Sequence, residues 1–172
     1  MTIERNVFST KERLAETLAD AIAENLNAGL DERGTASLAV SGGSTPKRFF
    51  EVLGAREDVD WVNVAVTLVD ERWVDENSER SNARLVKEHL LAGPASVAAF
   101  VPLYAGTPEP DATGIAKSNA ALDRLPMPFD AVVLGMGNDG HTASFFPGGD
   151  TLQDALNADG PVIAINAPGA GE

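Results

Sequence analysis

Three short stretches of the chain hold side chains that could do chemistry. The segment GMGNDGHTASFFPGG, Gly135 to Gly149, gathers five glycines, one Asn and one Asp around His141, one of only two histidines. An imidazole, with an unperturbed pKa of about 6.5, exchanges protons near neutrality, so His141 is a candidate general base. Asp70-Glu71-Arg72 offers an Asp that could position a hydroxyl or accept a proton. Beside it, the forked donors of Arg72 could clamp a phosphate or carboxylate. Ser41-Gly42-Gly43-Ser44-Thr45 could turn backbone amides toward an anion at the start of a helix.

Each stretch also has a plain structural reading. SGGST serves equally as a strand–helix turn with a capping hydroxyl, and it lacks the G-x-x-x-x-G-K-[ST] spacing of a P-loop. Taken alone, Asp70-Glu71-Arg72 reads better as a solvated charge cluster. Gly135, Gly137 and Gly140 spell G-x-G-x-x-G, the dinucleotide fingerprint. That fingerprint calls for an acidic residue at the end of the next strand. VIAIN is instead followed by Asn166-Ala167-Pro168, with no acid until Glu172. A lone histidine is often a packing residue, and His89, inside an expected helix, is read that way. The glycines around His141 favour a functional reading there.

Elements must bring these stretches together. Ser9-Thr10-Lys11-Glu12 has the pattern of a capping box, and Leu14, Leu18, Ile22 and Leu26 follow at helical spacing, with Gly29 as the expected stop. ASLAV (36–40) reads as a buried strand. Pro46 suits the first turn of a helix capped by Ser44 or Thr45, with Phe49, Phe50 and Leu53 facing the core. WVNVAVTLV (61–69) reads as a second strand. Ser81 or Asn82 caps a helix carrying Leu85, Val86, Leu90 and Leu91. AAFVPLY (98–104), FDAVVL (129–134) and VIAIN (162–166) read as further strands, with a helix from Thr113 to Leu125. Near-continuous apolar strands alternating with helices predict an α/β fold: a Rossmann-like, mostly parallel sheet with helices on both faces. Ligands of such sheets bind beyond the C-terminal ends of the strands, where all three stretches fall.

Composition narrows the function classes. The length suits one domain, residues 1–172, and the absence of cysteine excludes a disulfide framework, a thiol nucleophile and a Cys-ligated metal. A formal net charge of −13 repels nucleic acid. No run approaches the roughly 18 apolar residues of a membrane span. MTIERNVFSTKERLAE carries acids and no apolar core, so no secretory signal is expected, and a cytoplasmic enzyme or binding protein is. The same charge opposes a phosphate ligand, whose binding would depend on local donors.

LAVSGGSTP, TLVDERWV followed by ENSERSNARL, and FDAVVLGMGNDGHTASFFPG resemble, in this order and spacing, the 6-phosphogluconolactonases. These form a superfamily with the glucosamine-6-phosphate deaminases/isomerases, and the match runs from the first helix to about Gly148. The resemblance implies hydrolysis of 6-phospho-D-glucono-1,5-lactone to 6-phospho-D-gluconate, in the oxidative branch of the pentose phosphate pathway. It implies no cofactor and no required metal. By the same resemblance His141 is the base acting on water, and Asp70 and Asp139 match acidic positions of the motifs. Gly42, Gly43, Ser44 and Thr45 match a phosphate-binding loop, Arg72 an arginine near the substrate, and Gly137 and Gly140 a substrate-contacting loop. The deaminases carry an acidic residue before the proline where this chain has Phe146, and usually read D-E-Y where it has Asp70-Glu71-Arg72. Both departures favour the lactonase over a deaminase/isomerase, and His141 with Asp70 argues against a non-catalytic sugar-phosphate-binding regulator. The partner implied is a small sugar phosphate lactone, bound by a monomer or weak homo-oligomer, with no nucleic acid and no membrane. Family members continue beyond a strand like VIAIN with a segment bearing a basic residue near the phosphate, so the chain is expected to be truncated at its C-terminus.

Overall fold

The structure is a computed structural model that describes residues 3–166. Four strands pair in parallel in the order β3-β2-β1-β4: β1 Ala36–Val40, β2 Val64–Leu68, β3 Ala99–Val101 and β4 Ala131–Val133. Ala36 to Val40 lie opposite Val64 to Leu68 on one side, and Leu38 to Val40 opposite Ala131 to Val133 on the other. The helices are α1 Lys11–Arg33, α2 Lys47–Gly54, α3 Asn82–His89, α4 Ala112–Leu122 and α5 Leu152–Leu156. α2 packs against both α1 and α3, and His89 reaches Glu51 across the α2–α3 seam at 3.4 Å. The β3–α4–β4 crossover runs back over the sheet in the opposite direction to the earlier ones, so right-handed connection puts α4 on the other face. There Trp73 lies edge-on to Tyr104 and donates its indole N–H to the carbonyl of Thr107 at 2.8 Å.

Every residue of β1 is buried, as expected of a central parallel strand, and Leu26, Leu38, Phe50, Leu53, Val64, Val66 and Val86 form its core. Among the described residues β4 is an edge strand whose Val132 is exposed, followed by exposed Leu134 and Met136.

Several expected boundaries move, each for a local reason. Thr10, not Ser9, caps α1 by accepting the N–H of Arg13 at 3.1 Å, and Leu14 is exposed. Gly34 ends the helix in the left-handed region (φ 73°) and returns its N–H to Leu30, so Gly29 is not the stop. No Ser or Thr side chain caps α2, whose first turn is preceded by Pro46 with αR dihedrals. Trp61 to Asn63 form a 3₁₀ turn, held by the Trp61 indole on the Arg56 carbonyl, before β2 begins. Asp111 caps α4, which starts at Ala112 and closes at Leu122. Residues 162–166 join no ladder, so VIAIN is not a strand in the described structure. The expected chain ending over Ala167–Glu172 lies outside the described residues.

Gly29 is buried for a different purpose. Asp130, at the entry to β4, accepts the amide of Ser37 at 2.8 Å and the guanidinium of Arg33, and its own amide donates to the Ser37 carbonyl. This knot ties α1 to β1 and β4. A Cβ on Gly29 would stand 2.1 Å from the Asp130 carboxylate. Gly29→Ala should therefore destabilise the fold by about 1–3 kcal/mol through overpacking, although alanine is the better helix former. Urea unfolding would check the sign, and a gain in stability would refute the close approach.

Candidate active site

Parallel pairing sends the chain out of β1, β2 and β4 at the same sheet edge, and hydrogen bonds fasten the loops that follow. The amide of Ser41 donates to the Val133 carbonyl at 3.0 Å, and its hydroxyl accepts the amide of Gly135 at 3.1 Å. Val69 donates to the Val40 carbonyl at 3.0 Å. Ser144 donates its hydroxyl to Asp70 Oδ2 at 2.7 Å, joining the loop after β2 to the loop carrying His141.

The turn after β4 is built around His141. Nδ1 of the imidazole lies 2.5 Å from Asp139 Oδ1, which also accepts the backbone amide of His141. Hydrogen bonding from His141 holds the Asp139 carboxyl below the ordinary aspartate value, so it is ionised at neutral pH. An ionised carboxylate can only accept, so Nδ1 carries a proton, and in the neutral ring Nε2 is then the nitrogen with the free lone pair. Phe146 covers the ring, with centroids 4.2 Å apart and planes tilted by 30°. The amide of Gly137 donates to the His141 carbonyl at 2.8 Å. A Cβ on Gly137 would stand 2.2 Å from the imidazole and 2.8 Å from the Asp139 carboxylate, so only glycine leaves room for the pair. Gly140 makes its turn at φ 85° and Ala143 at φ 48°, a left-handed conformation costly for any residue but glycine.

After β2, the residues of the DER stretch divide their work. Burial pushes the Glu71 carboxyl up from its ordinary value, while donors pull it back: the amides of Arg72, Asn82 and Ala83 and the Ser81 hydroxyl. Glu71 thereby fastens the N-terminus of α3, which Ser81 caps through the Arg84 amide. Arg72 is exposed, and its Nη1 donates to the Arg80 carbonyl at 2.8 Å and to Asn82 Oδ1 at 3.3 Å. Among the described residues its Nε and Nη2 meet no acceptor.

In the loop after β1, Gly43 takes φ 93°, and Gly43, Ser44 and Thr45 face solvent. The amides of Gly42, Gly43, Ser44 and Thr45 find no acceptor among the described residues. Four unpaired donors in succession beside a helix start could receive an anion. Gly42 rests against Asn82, whose carboxamide would lie 1.8 Å from any Cβ there.

The expected site residues thus share one edge of the sheet, with His141 and Asp139 in direct contact and Asp70 linked to their loop through Ser144. Asp70 itself makes no hydrogen bond to His141. Ser41, Glu71, Asn82 and Ser144 were not singled out by sequence reasoning as site builders. Each is a polar residue in a motif whose flashier neighbours drew the assignment, and only Ser81 or Asn82 as a cap gave any signal. A shallow depression elsewhere, lined by Glu76, Asn77, Arg84, Lys87 and Glu88, is internally neutralised by the Arg84–Glu88 and Lys87–Glu76 pairs. Among the described residues no cluster of three or more His, Asp or Glu is arranged to hold a metal ion.

Residues 9–172 match the family model of glucosamine-6-phosphate isomerases/6-phosphogluconolactonase. The chain is 51% identical to the 6-phosphogluconolactonase of Rhizobium meliloti (strain 1021), over 100% of its own length and 74% of the relative's. It is 49% identical to that of Mesorhizobium japonicum, over 97% of the chain and 70% of the relative. The crystal structure of a 6-phosphogluconolactonase from Shewanella baltica OS155 superposes with a TM-score of 0.92 at 44% identity, covering 95% of this chain and 70% of that one.

The crowding at Gly137 yields a direct test. Long-range proton–nitrogen spectra should show His141 as the Nδ1–H tautomer in the wild-type protein. Gly137→Ala should stay folded yet lose that tautomer, because the added methyl forces ring and carboxylate apart. An unchanged tautomer in the variant would contradict the geometry.

Proposed function

The chain belongs to the glucosamine-6-phosphate isomerase/6-phosphogluconolactonase family, and from that premise we propose that it is a 6-phosphogluconolactonase using His141 as the base. It hydrolyses 6-phospho-D-glucono-1,5-lactone to 6-phospho-D-gluconate, a step of the pentose phosphate pathway. The observation that carries the assignment of roles is the His141–Asp139 pair, with Nδ1 committed to the carboxylate and Nε2 left as an acceptor.

In this reading Nε2 takes a proton from water as its oxygen bonds to the lactone carbonyl carbon. The carbonyl electron pair moves onto oxygen, giving a tetrahedral oxyanion. As that pair returns, the bond to the ring oxygen breaks and the imidazolium gives its proton to the departing alkoxide. Asp139 stabilises the transient imidazolium and fixes the tautomer, while Asp70 holds the loop through Ser144. The phosphate, remote from the reacting carbon, lies against the amides of Gly42 to Thr45 and the open donors of Arg72, which orients the ring for attack. Gly137 and Gly140 give the loop its shape beside the substrate.

The deaminase/isomerase reading is not favoured. Where it needs a carboxylate beside the histidine, this chain lays the Phe146 ring on His141. The reading carries with it a cytoplasmic, monomeric or weakly self-associating protein that needs no cofactor. Among the described residues no helix is long and apolar enough to cross a membrane.

Hydrolysis of freshly generated lactone, followed by proton release against the spontaneous background, tests the proposal. His141→Ala should lower kcat by about 10²–10⁴-fold, the range of a positioned general base. Asp139→Asn should lower it by about 10²-fold, by freeing the ring to take the wrong tautomer. Rates equal to background for the wild-type chain would overturn the reading. Because Asp139 titrates below the ordinary carboxylate range, it stays charged across the neutral range. The acid limb of the kcat/KM profile should therefore fall with the slope of a single proton, and a two-proton slope would count against the pair.

A further inference from the structure

Asn82 occupies the first turn of α3 yet does nothing for the helix. Ser81 already supplies the capping oxygen, and Glu71 already takes the amides of Asn82 and Ala83. Both polar atoms of the Asn82 carboxamide are nonetheless engaged, in a residue only 3% exposed. Its Oδ1 accepts Nη1 of Arg72 at 3.3 Å, and its Nδ2 donates to the Asp70 carbonyl at 3.0 Å. A guanidinium can only donate and a carbonyl only accept, so the carboxamide has one possible orientation. On its other side the backbone of Gly42 presses so close that a Cβ there would meet Oδ1 at 1.8 Å.

One planar group thus touches two parts of the expected phosphate grip. It holds Nη1 of Arg72, together with the Arg80 carbonyl, so that Nε and Nη2 remain for a ligand. It is also the floor on which the Gly42–Gly43 turn sits. A hydroxyl is too short to reach both partners. A carboxylate would face the Asp70 carbonyl with like polarity and would bind Arg72 as a counter-ion, neutralising the charge offered to phosphate. A leucine would leave the Asp70 carbonyl and the Arg72 donor without their partner.

We infer that Asn82 is the positioning residue of the phosphate grip, setting both the aim of Arg72 and the seat of the glycine turn. It therefore governs affinity for the sugar phosphate rather than the chemical step. The inference builds on the role given to Arg72 above, but its test does not depend on turnover.

Asn82→Asp, Arg72→Ala and the double variant would be compared with wild type by calorimetric titration of 6-phosphogluconate and by lactone hydrolysis. Asn82→Asp should raise both Kd and KM about tenfold while kcat falls less than about threefold, the pattern of lost uniform binding. In the Arg72→Ala background the same substitution should cost clearly less than about tenfold, because the guanidinium it positions is gone and only the share acting through the glycine turn remains. A merely structural role would lower the melting temperature and leave Kd where it was. Should Asn82→Asp not fold, Asn82→Ser gives the same comparison with a side chain too short to reach Arg72. Unchanged Kd and KM, a loss confined to kcat, or full additivity with Arg72→Ala would each overturn the inference. A wild-type chain that binds 6-phosphogluconate without hydrolysing lactone would sink the proposed reaction and leave this inference to the Kd series. A chain that binds none would sink both.

Discussion

Parallel pairing is the constraint from which the rest of the molecule follows. Strands that all run the same way must release their chain at the same edge, and the connections there cannot be tight hairpins. Three of those exits carry the polar residues of the site. Their mutual placement is set by bonds made within a residue or two of the strand ends, Ser41 to Val133 and Gly135 and Val69 to Val40, and by Ser144 reaching back to Asp70 from farther along the loop after β4. The sheet supplies the coarse geometry, and these contacts fix the remainder. A site assembled this way sits on rigid elements although its residues belong to loops, apart from Asn82 at the start of α3.

The electrostatic problem is how a chain of net charge −13 would hold a phosphate. Six of the 13 Lys and Arg side chains pair with the protein's own carboxylates: Arg13 with Glu16, Arg33 with Glu32 and Asp130, Arg48 with Glu51, Arg56 with Asp20 and Asp58, Arg84 with Glu88, and Lys87 with Glu76. At the site edge the pattern reverses. Glu71 turns inward to amides and a hydroxyl, away from the Arg72 guanidinium, which is held by neutral oxygens alone. The amides of Gly42 to Thr45 add partial positive charge without any side chain. Attraction is local and short in range, so the repulsive field of the whole surface, screened over about 10 Å at ordinary salt, need not decide the outcome.

The fold class was legible because it depends on period and punctuation. ASLAV was readable to the residue, and the DER and GMGNDGH stretches fell at strand ends as their apolar leaders required. Boundaries that depend on a partner were not. Gly29 looks like a helix stop until Asp130, a hundred residues away, is found against it. Trp61 to Asn63 look like strand until the indole finds the Arg56 carbonyl. VIAIN has strand composition, but composition cannot provide a neighbour to pair with. At the site, residue type identified His141 and Arg72 as candidates, since few side chains can do their work. Asn82 and Glu71 escaped because their value lies in what they touch, which is spread over three segments of chain.

The sheet order has a consequence for synthesis. β1 is flanked by β2, its near neighbour in sequence, and by β4, which is made much later. A hundred residues separate Ser41 from His141, and at about 5–20 residues per second the ribosome needs about 5–20 s to travel between them. Gly42 to Thr45 and Arg72 are made within that interval, while the flank of β1 that will receive β4 stands bare. The strand that closes that flank is the one that delivers the imidazole. Completion of the described four-stranded sheet and arrival of His141 are therefore a single event in the life of the nascent chain, and until then β1 is paired on one side only.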